Sequence, residues 1–168
     1  NFYTENYRAA KAKFLYFCKE GFQTWHPKLT FFGFRYIRVD HFPGGADAVR
    51  PDIFTAVVVC SDLQRTGFLS SSNPLLNKLF DNIIWGQKGN FVDVPTDCPQ
   101  RDERMGWTGD ICLFAPTAAY LYDVYGFLKS WLKDVRADQV KWGTVPFYVP
   151  FIPLGGWAHP QAISTWGD

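Results

Sequence analysis

Methionine occurs once, at Met105, and histidine only three times in 168 residues. No stretch approaches the ~18 consecutive apolar residues of a membrane-spanning helix, so no membrane span is expected. Asn-Xaa-Ser/Thr is absent, and no signal-peptide pattern is visible. The four cysteines (Cys18, Cys60, Cys98, Cys112) form no Cys-x-x-Cys pair. With histidines this scattered, neither a zinc site nor another metal or cofactor is expected. Four thiols permit a disulfide framework without demanding one, which leaves the compartment open. Gly-x-Gly-x-x-Gly and the P-loop are both missing, which removes support for nucleotide binding. Charge of one sign is also lacking: 17 basic and 16 acidic residues leave a net +1. Bulk charge therefore offers nothing to a nucleic acid or an anionic membrane.

What is present is a globular composition, 47% hydrophobic and 20% charged, apolar enough to offset the entropy of ordering. Aromatics are abundant, with 7 Trp, 8 Tyr and 16 Phe. They either build a large aromatic core or furnish a surface that stacks on flat or sugar-like ligands. The chain starts at Asn1 and stops at Trp166-Gly-Asp168, and is expected to be a piece of a longer protein.

Two halves differ in character. Residues 1–68 read as β. Phe31, Phe32, Phe34, Tyr36, Ile37 and Val39 are interleaved with Arg35, Arg38 and Asp40, and Pro43-Gly44-Gly45 is a turn signal. Phe14 to Phe17 is another strand candidate, and Thr55 to Cys60 has the length of a buried strand. Short strands between turns suggest part of a β-sandwich. From 69 to 168 the reading is helical. Asn73 suits an N-cap and Pro74 the first helical position. Leu75, Leu76, Leu79, Phe80, Ile83 and Ile84 follow at helical period, with Gly86 and Gly89 bracketing the end. Leu113, Phe114, Thr117, Ala118, Leu121 and Tyr122 mark a second helix, with Pro116 as a kink. Phe127, Leu128, Trp131, Leu132 and Val135 mark a third, with Lys129, Lys133 and Arg136 on its wet face. Residues 141–168 carry four prolines among aromatics and read as a long loop. There Trp142, Phe147, Tyr148, Phe151 and Trp157 either line a pocket or pack the loop.

The loop joining the first two helices carries the chemistry. Residues 93–110 read DVPTDCPQRDERMGWTGD, with five acids (Asp93, Asp97, Asp102, Glu103, Asp110), two arginines (Arg101, Arg104) and no lysine. Such a loop can simply be solvated, its charges pairing among themselves. Trp107 and the missing lysine argue for more. Crowded carboxylates drive each other's pKa values apart, which leaves one protonated beside ionised neighbours. A protonated carboxyl next to ionised ones and an aromatic wall suits a sugar, whose hydroxyls donate to carboxylates and whose C–H face stacks on Trp. Cys98 is not expected to be a nucleophile, because no His lies near it in sequence and carboxylates raise a thiol pKa. His26 and His159 are expected to be structural or loop residues.

The seventeen residues from Val94 to Asp110 resemble the signature of bacterial α-L-rhamnosidases of glycoside hydrolase family 78. Tyr3-Thr-Glu-Asn6, Thr24-Trp-His-Pro27, Phe32-Gly-Phe-Arg-Tyr36, Ser61-Asp62 and Arg65-Thr-Gly67 resemble the β domain that precedes the family's catalytic domain. Asn73-Pro-Leu-Leu-Asn77 and Asn82-Ile-Ile-Trp-Gly-Gln87 resemble its first catalytic helix. The sequence departs from the pattern at Ile111-Cys112 and at Pro116. The resemblance implies a mixed fragment: β-sandwich (jelly-roll-like) strands over 1–68, then the first helices of an (α/α)6 barrel over 69–168.

It further implies inverting hydrolysis of terminal α-L-rhamnosides, with Glu103 as general acid. Asp97, Arg101, Trp107 and Asp110 would hold the rhamnose, and Trp166 would add an aromatic wall. The general base that inversion requires has no candidate here, so the chain alone is expected to be nearly inactive. A sugar-binding fragment without catalysis, or an (α/α)6 glycosidase acting on another glycan, are the competing readings. The truncated chain is expected to self-associate through the stripe from Leu75 to Ile84.

Overall fold

The computed structural model describes residues 2–153, 159–161 and 166. Trp157, Gly167 and Asp168 lie outside the described residues. The chain divides into two compact units. One comprises Asn1–Val59 with Gln100–Asp102, the other Cys60–Pro99 with Glu103–Asp168.

Among the described residues of the first unit only three short 3-10 turns form, at Glu5–Tyr7, Ala46–Ala48 and Pro51–Ile53, and no strand. The run Thr55 to Cys60 is not a buried strand: Val57, Val58 and Val59 are exposed. The physical reason is that β-propensity describes a residue suited to a pleated, half-buried surface, and the ladder itself needs a neighbour. No segment of this unit supplies one. Its contacts are local instead. Phe14 packs on Phe32 at 4.9 Å between ring centroids and Tyr16 on Trp25 at 5.2 Å. Arg38–Asp40 and Arg50–Asp52 pair two residues apart on the surface, where such ion pairs stabilise little.

The second unit is built on three helices. Helix α1 spans Pro74–Asn90. Asn73 Oδ1 accepts the Leu75 amide at 2.9 Å, satisfying one orphan donor of the first turn. Asn77 holds Ser71 from both sides, accepting its N–H at 2.9 Å and donating to its carbonyl at 2.8 Å. Of the expected stripe, Phe80 and Ile84 are buried, while Leu75, Leu76 and Leu79 are exposed. Helix α2 spans Thr108–Leu121 and runs through Pro116. It faces inward through Ile111, Phe114, Ala115, Ala118 and Leu121. Leu113 is exposed. Helix α3 spans Tyr125–Trp142 and stops at Gly143, which adopts φ +75° and donates to the Gln139 carbonyl, a backbone state that favours glycine. Its Lys129, Lys133 and Arg136 are exposed, as the sequence suggests.

Two small antiparallel pairs connect these helices. Strands β1 (Phe91–Val92) and β2 (Val94–Pro95) turn tightly at Asp93, which adopts φ +65°. Strand β3 (Gly106–Trp107) pairs with β4 (Tyr148–Val149). The expected long loop therefore returns to the acidic loop as a strand. At Gly106 a Cβ would run into the Val149 carbonyl and stand 2.8 Å from Trp131 Nε1, so this approach requires glycine. The principal core gathers Phe80, Ile84, Phe91, Ala118, Leu121 and Phe127, with Phe91 stacked on Phe127 at 4.6 Å. Among the described residues no helix is long and apolar enough to cross a membrane.

Candidate active site

The acidic loop is anchored at both ends. Thr96 leans back on the end of α1, its amide and hydroxyl both donating to the Asn90 carbonyl at 2.9 and 2.8 Å. At the other end Thr108 opens α2. Its amide donates to the Phe147 carbonyl at 3.0 Å, and its hydroxyl reaches the carbonyls of Phe147 and Pro146. Between these anchors the Glu103 carbonyl accepts the Met105 amide at 2.7 Å and the Trp107 indole N–H at 3.4 Å.

Asp97 and Glu103 are brought together. One oxygen or sulfur from each of Asp97, Cys98 and Glu103 lies within 4.8 Å of the others. Cys98 is buried, and both carboxyls are half-buried. Among the described residues this trio has the donor types to hold a metal ion, although the sequence points to none. The Asp97 carboxyl is raised above its ordinary value of 3.8. Burial is the main cause and the nearby Glu103 charge adds to it. Hydrogen bonds from the Cys98 thiol and from the Asp97 and Met105 amides oppose it. The sequence predicts shifted carboxyl pKa values in this loop without saying which group moves; in the structure Asp97 is raised.

Trp107, whose indole N–H reaches the Glu103 backbone carbonyl, is part of an aromatic cluster. Its ring lies 5.6 Å from Phe147, 5.4 Å from Tyr148 and 5.8 Å from Trp166, the last edge-on at 83°. Phe147, Tyr148 and Phe151 are buried in a second cluster with Met105, Trp107, Trp142 and Trp166. Among the described residues Phe147, Tyr148 and Phe151 therefore pack the loop. Burial raises the Tyr148 phenol, which donates to the Ile152 carbonyl.

The other expected site residues are placed differently. Asp110 is exposed in the first turn of α2, where a negative charge complements the helix dipole. Arg101 and Asp102 group with the first unit. Two contributors carry no signal in the sequence motif alone. Cys98 is a hydrogen-bond donor to Asp97, and Gly109 leaves the space that the Trp166 ring fills. A glycine one residue before Asp110 in a helix is the only hint of the second. His26 is exposed, with Nδ1 at 3.2 Å from the Pro27 carbonyl. His159 packs its ring on Trp142.

Residues 64–168 match the bacterial alpha-L-rhamnosidase 6 hairpin glycosidase domain, and residues 1–60 match the bacterial alpha-L-rhamnosidase concanavalin-like domain. An alpha-L-rhamnosidase of Formosa agariphila is 45% identical over 168 residues, covering 99% of this chain and 18% of its own length. One from an Alteromonas species is 44% identical, again with 18% of its length covered. The chain thus spans under a fifth of these curated relatives. Among solved structures, the native rhamnosidase of Aspergillus terreus superposes with a TM-score of 0.78 at 49% identity, over 88% of this chain and 17% of that one. The Streptomyces avermitilis alpha-L-rhamnosidase complexed with L-rhamnose superposes with a TM-score of 0.58 at 46% identity, over 64% of this chain and 10% of that one. With both of its segments matched in order, the chain belongs to the bacterial α-L-rhamnosidase family, its residues 1–60 corresponding to the concanavalin-like domain and 64–168 to the six-hairpin glycosidase domain.

Proposed function

We propose that this chain is part of an enzyme that hydrolyses terminal α-L-rhamnosides with inversion, and that it carries the acid half of the catalytic pair. Glu103 is the general acid that protonates the departing glycosidic oxygen. Asp97 accepts sugar hydroxyls, Trp107 and Trp166 present a flat wall to the C–H face of the ring, and Asp110 binds at the rim. Arg101 takes a sugar-binding role on the strength of the sequence motif alone. In the complete protein, helices α1 to α3 open an (α/α)6 barrel, and the first unit belongs to a β-sandwich.

The observation that supports this most is the close approach of Asp97 and Glu103 beside Trp107. Two carboxyls near an indole form a site where one proton can be given while the other group orients a hydroxyl. An inverting enzyme also needs a base about 6.5–9.5 Å from the acid to activate water. That base is assigned to a residue outside 1–168, so this chain alone turns over little. The raised Asp97 carboxyl favours a second reading, in which Asp97 rather than Glu103 delivers the proton.

Hydrolysis of an alkyl α-L-rhamnoside by a protein extended past Asp168 tests both. Glu103→Gln is expected to lower kcat roughly 10²–10⁴-fold, and Asp97→Asn to raise KM more than it lowers kcat. The reverse pattern would transfer the acid role to Asp97. Full activity in both variants would remove the loop from the chemistry. An aryl substrate with a good leaving group needs little acid, so its rate should fall far less in Glu103→Gln.

A further inference from the structure

Cys98 is 5% exposed, deeper than the half-buried Asp97 and Pro99 on either side of it. The chain around it is fixed to the end of α1 before and after the thiol. On one side Thr96 gives its amide and its hydroxyl to the Asn90 carbonyl. On the other Pro99 lies over Gly89, where a Cβ would stand 3.7 Å from the Pro99 ring. Proline also locks its own φ at about −65°. The backbone that carries the thiol is therefore held from α1 at two points.

From that mount Cys98 Sγ faces the carboxyls. Sγ, one oxygen of Asp97 and one oxygen of Glu103 all lie within 4.8 Å of one another. The thiol donates to the Asp97 carboxylate, which also receives the amides of Asp97 and Met105. Two of these donors are backbone and survive any side-chain substitution; the thiol does not. Its chemistry suits the place. A methyl group would bury well and donate nothing, and a hydroxyl would donate better at a higher cost of burial. Cysteine is a small apolar side chain that still carries an S–H donor, and a bond to an ionised acceptor is stronger than one between neutral groups.

The torsion that turns an aspartate carboxyl has broad wells, so donors rather than rotamers fix its plane. A sugar hydroxyl is bound well only by an acceptor whose lone pairs already point at it. We propose that Cys98 is a positioning residue: mounted on α1 through Thr96 and Pro99, its thiol holds the Asp97 carboxylate in the plane that accepts a sugar hydroxyl, and touches no substrate itself. This inference rests on the reading of Asp97 as a sugar-binding group. It adds to that reading a side chain that acts on substrate affinity through Asp97, and it gives the buried cysteine of the acidic loop a use other than that of a nucleophile.

Steady-state kinetics on an alkyl α-L-rhamnoside, with the protein extended past Asp168, test this. The variants are Cys98→Ala, Cys98→Ser, Asp97→Asn and the double Cys98→Ala/Asp97→Asn. Cys98→Ala should raise KM about three- to tenfold, the span of one lost hydrogen bond, and leave kcat near wild type. Cys98→Ser restores a donor and should recover most of that KM. In the Asp97→Asn background Cys98→Ala should add little, because the two residues act through one contact. Equal losses for Ala and Ser, losses that multiply in the double variant, or a fall in kcat at constant KM each overturn the positioning role. If Asp97→Asn leaves KM unchanged, the sugar-binding reading of Asp97 and this proposal fall together. If Asp97→Asn raises KM and Cys98→Ala does not, the positioning role alone falls. Should Cys98→Ala fail to fold, a crystal structure of the wild-type extended protein with L-rhamnose decides. Sγ bonded to an Asp97 carboxylate that contacts a sugar hydroxyl is expected; Sγ turned away from Asp97, or touching the sugar, overturns the proposal.

Discussion

The ring of Trp166 occupies the space that a side chain at Gly109 would need: a Cβ there would lie 2.8 Å from three atoms of the indole. The first turn of α2 and the aromatic wall are therefore in direct contact, and the contact depends on a missing methyl group. Alanine in place of glycine inside a helix stabilises by up to ~1 kcal/mol. Here that gain is set against a clash with a flat ring edge-on to Trp107. Gly109→Ala is expected to leave the unfolding midpoint within about 1 kcal/mol of wild type while displacing Trp166. In an extended, active protein KM for a rhamnoside should rise about tenfold, equivalent to about 1.4 kcal/mol of lost sugar binding. An unchanged KM would mean that Trp166 does not touch the sugar.

Asp97 gives a pH prediction. Its carboxyl is raised from 3.8, chiefly by burial, so the folded chain holds this proton more tightly than the unfolded chain does. Stability from this group is complete below the unfolded value and is lost as pH rises through the folded one. Asparagine does not titrate. The Tm of Asp97→Asn relative to wild type should therefore climb as pH rises from about 3 towards neutrality and then level off. A constant gap between pH 3 and 7, or one that shrinks, would contradict the burial of this carboxyl.

The cap of α1 is testable without any substrate. Asn73→Ala removes the acceptor of the Leu75 amide and should cost about 1 kcal/mol, read as a lower urea midpoint at unchanged slope. Asn73→Ser should recover most of it. Equal losses for both substitutions would show that the cap bond is immaterial.

Trp131 joins α3 to β4 by donating its indole N–H to the buried Val149 carbonyl at 3.1 Å. Trp131→Phe keeps most of the packing and strands that carbonyl. The expected destabilisation is about 1–3 kcal/mol, again measured by urea unfolding. Because β4 pairs with β3, activity of an extended protein should also drop. A variant as stable as wild type would show that the carbonyl finds another donor.

Helix α1 was legible because Asn73 and Pro74 announce its start by local chemistry. The buried face of α2 was not: Leu113 and Ile111 are equally apolar, and only the position of α1 and α3 decides which turns inward. The four strands escaped notice because two residues carry no period. The strands expected in residues 1–68 are not formed among the described residues, although residues 1–60 match a concanavalin-like domain. In the candidate site, the acids and Trp107 could be read directly from residues 93–110. That Asp97 is raised could not, since burial is set by chain that arrives from elsewhere. The same holds for Gly109, whose reason lies 57 residues away at Trp166.

The pairing of β3 with β4, Gly106 with Val149 and Trp107 with Tyr148, has a consequence for the order of events in folding. It closes a loop of roughly forty residues that contains all of α2 and α3, and the entropy of closing such a loop is lost before its contacts reward it. The helices can form from neighbours in sequence; the wall behind Glu103 cannot. During refolding the far-ultraviolet helix signal should recover first and the environment of Trp107 last, so that the aromatic cluster around Trp107 is the final part of this unit to exist.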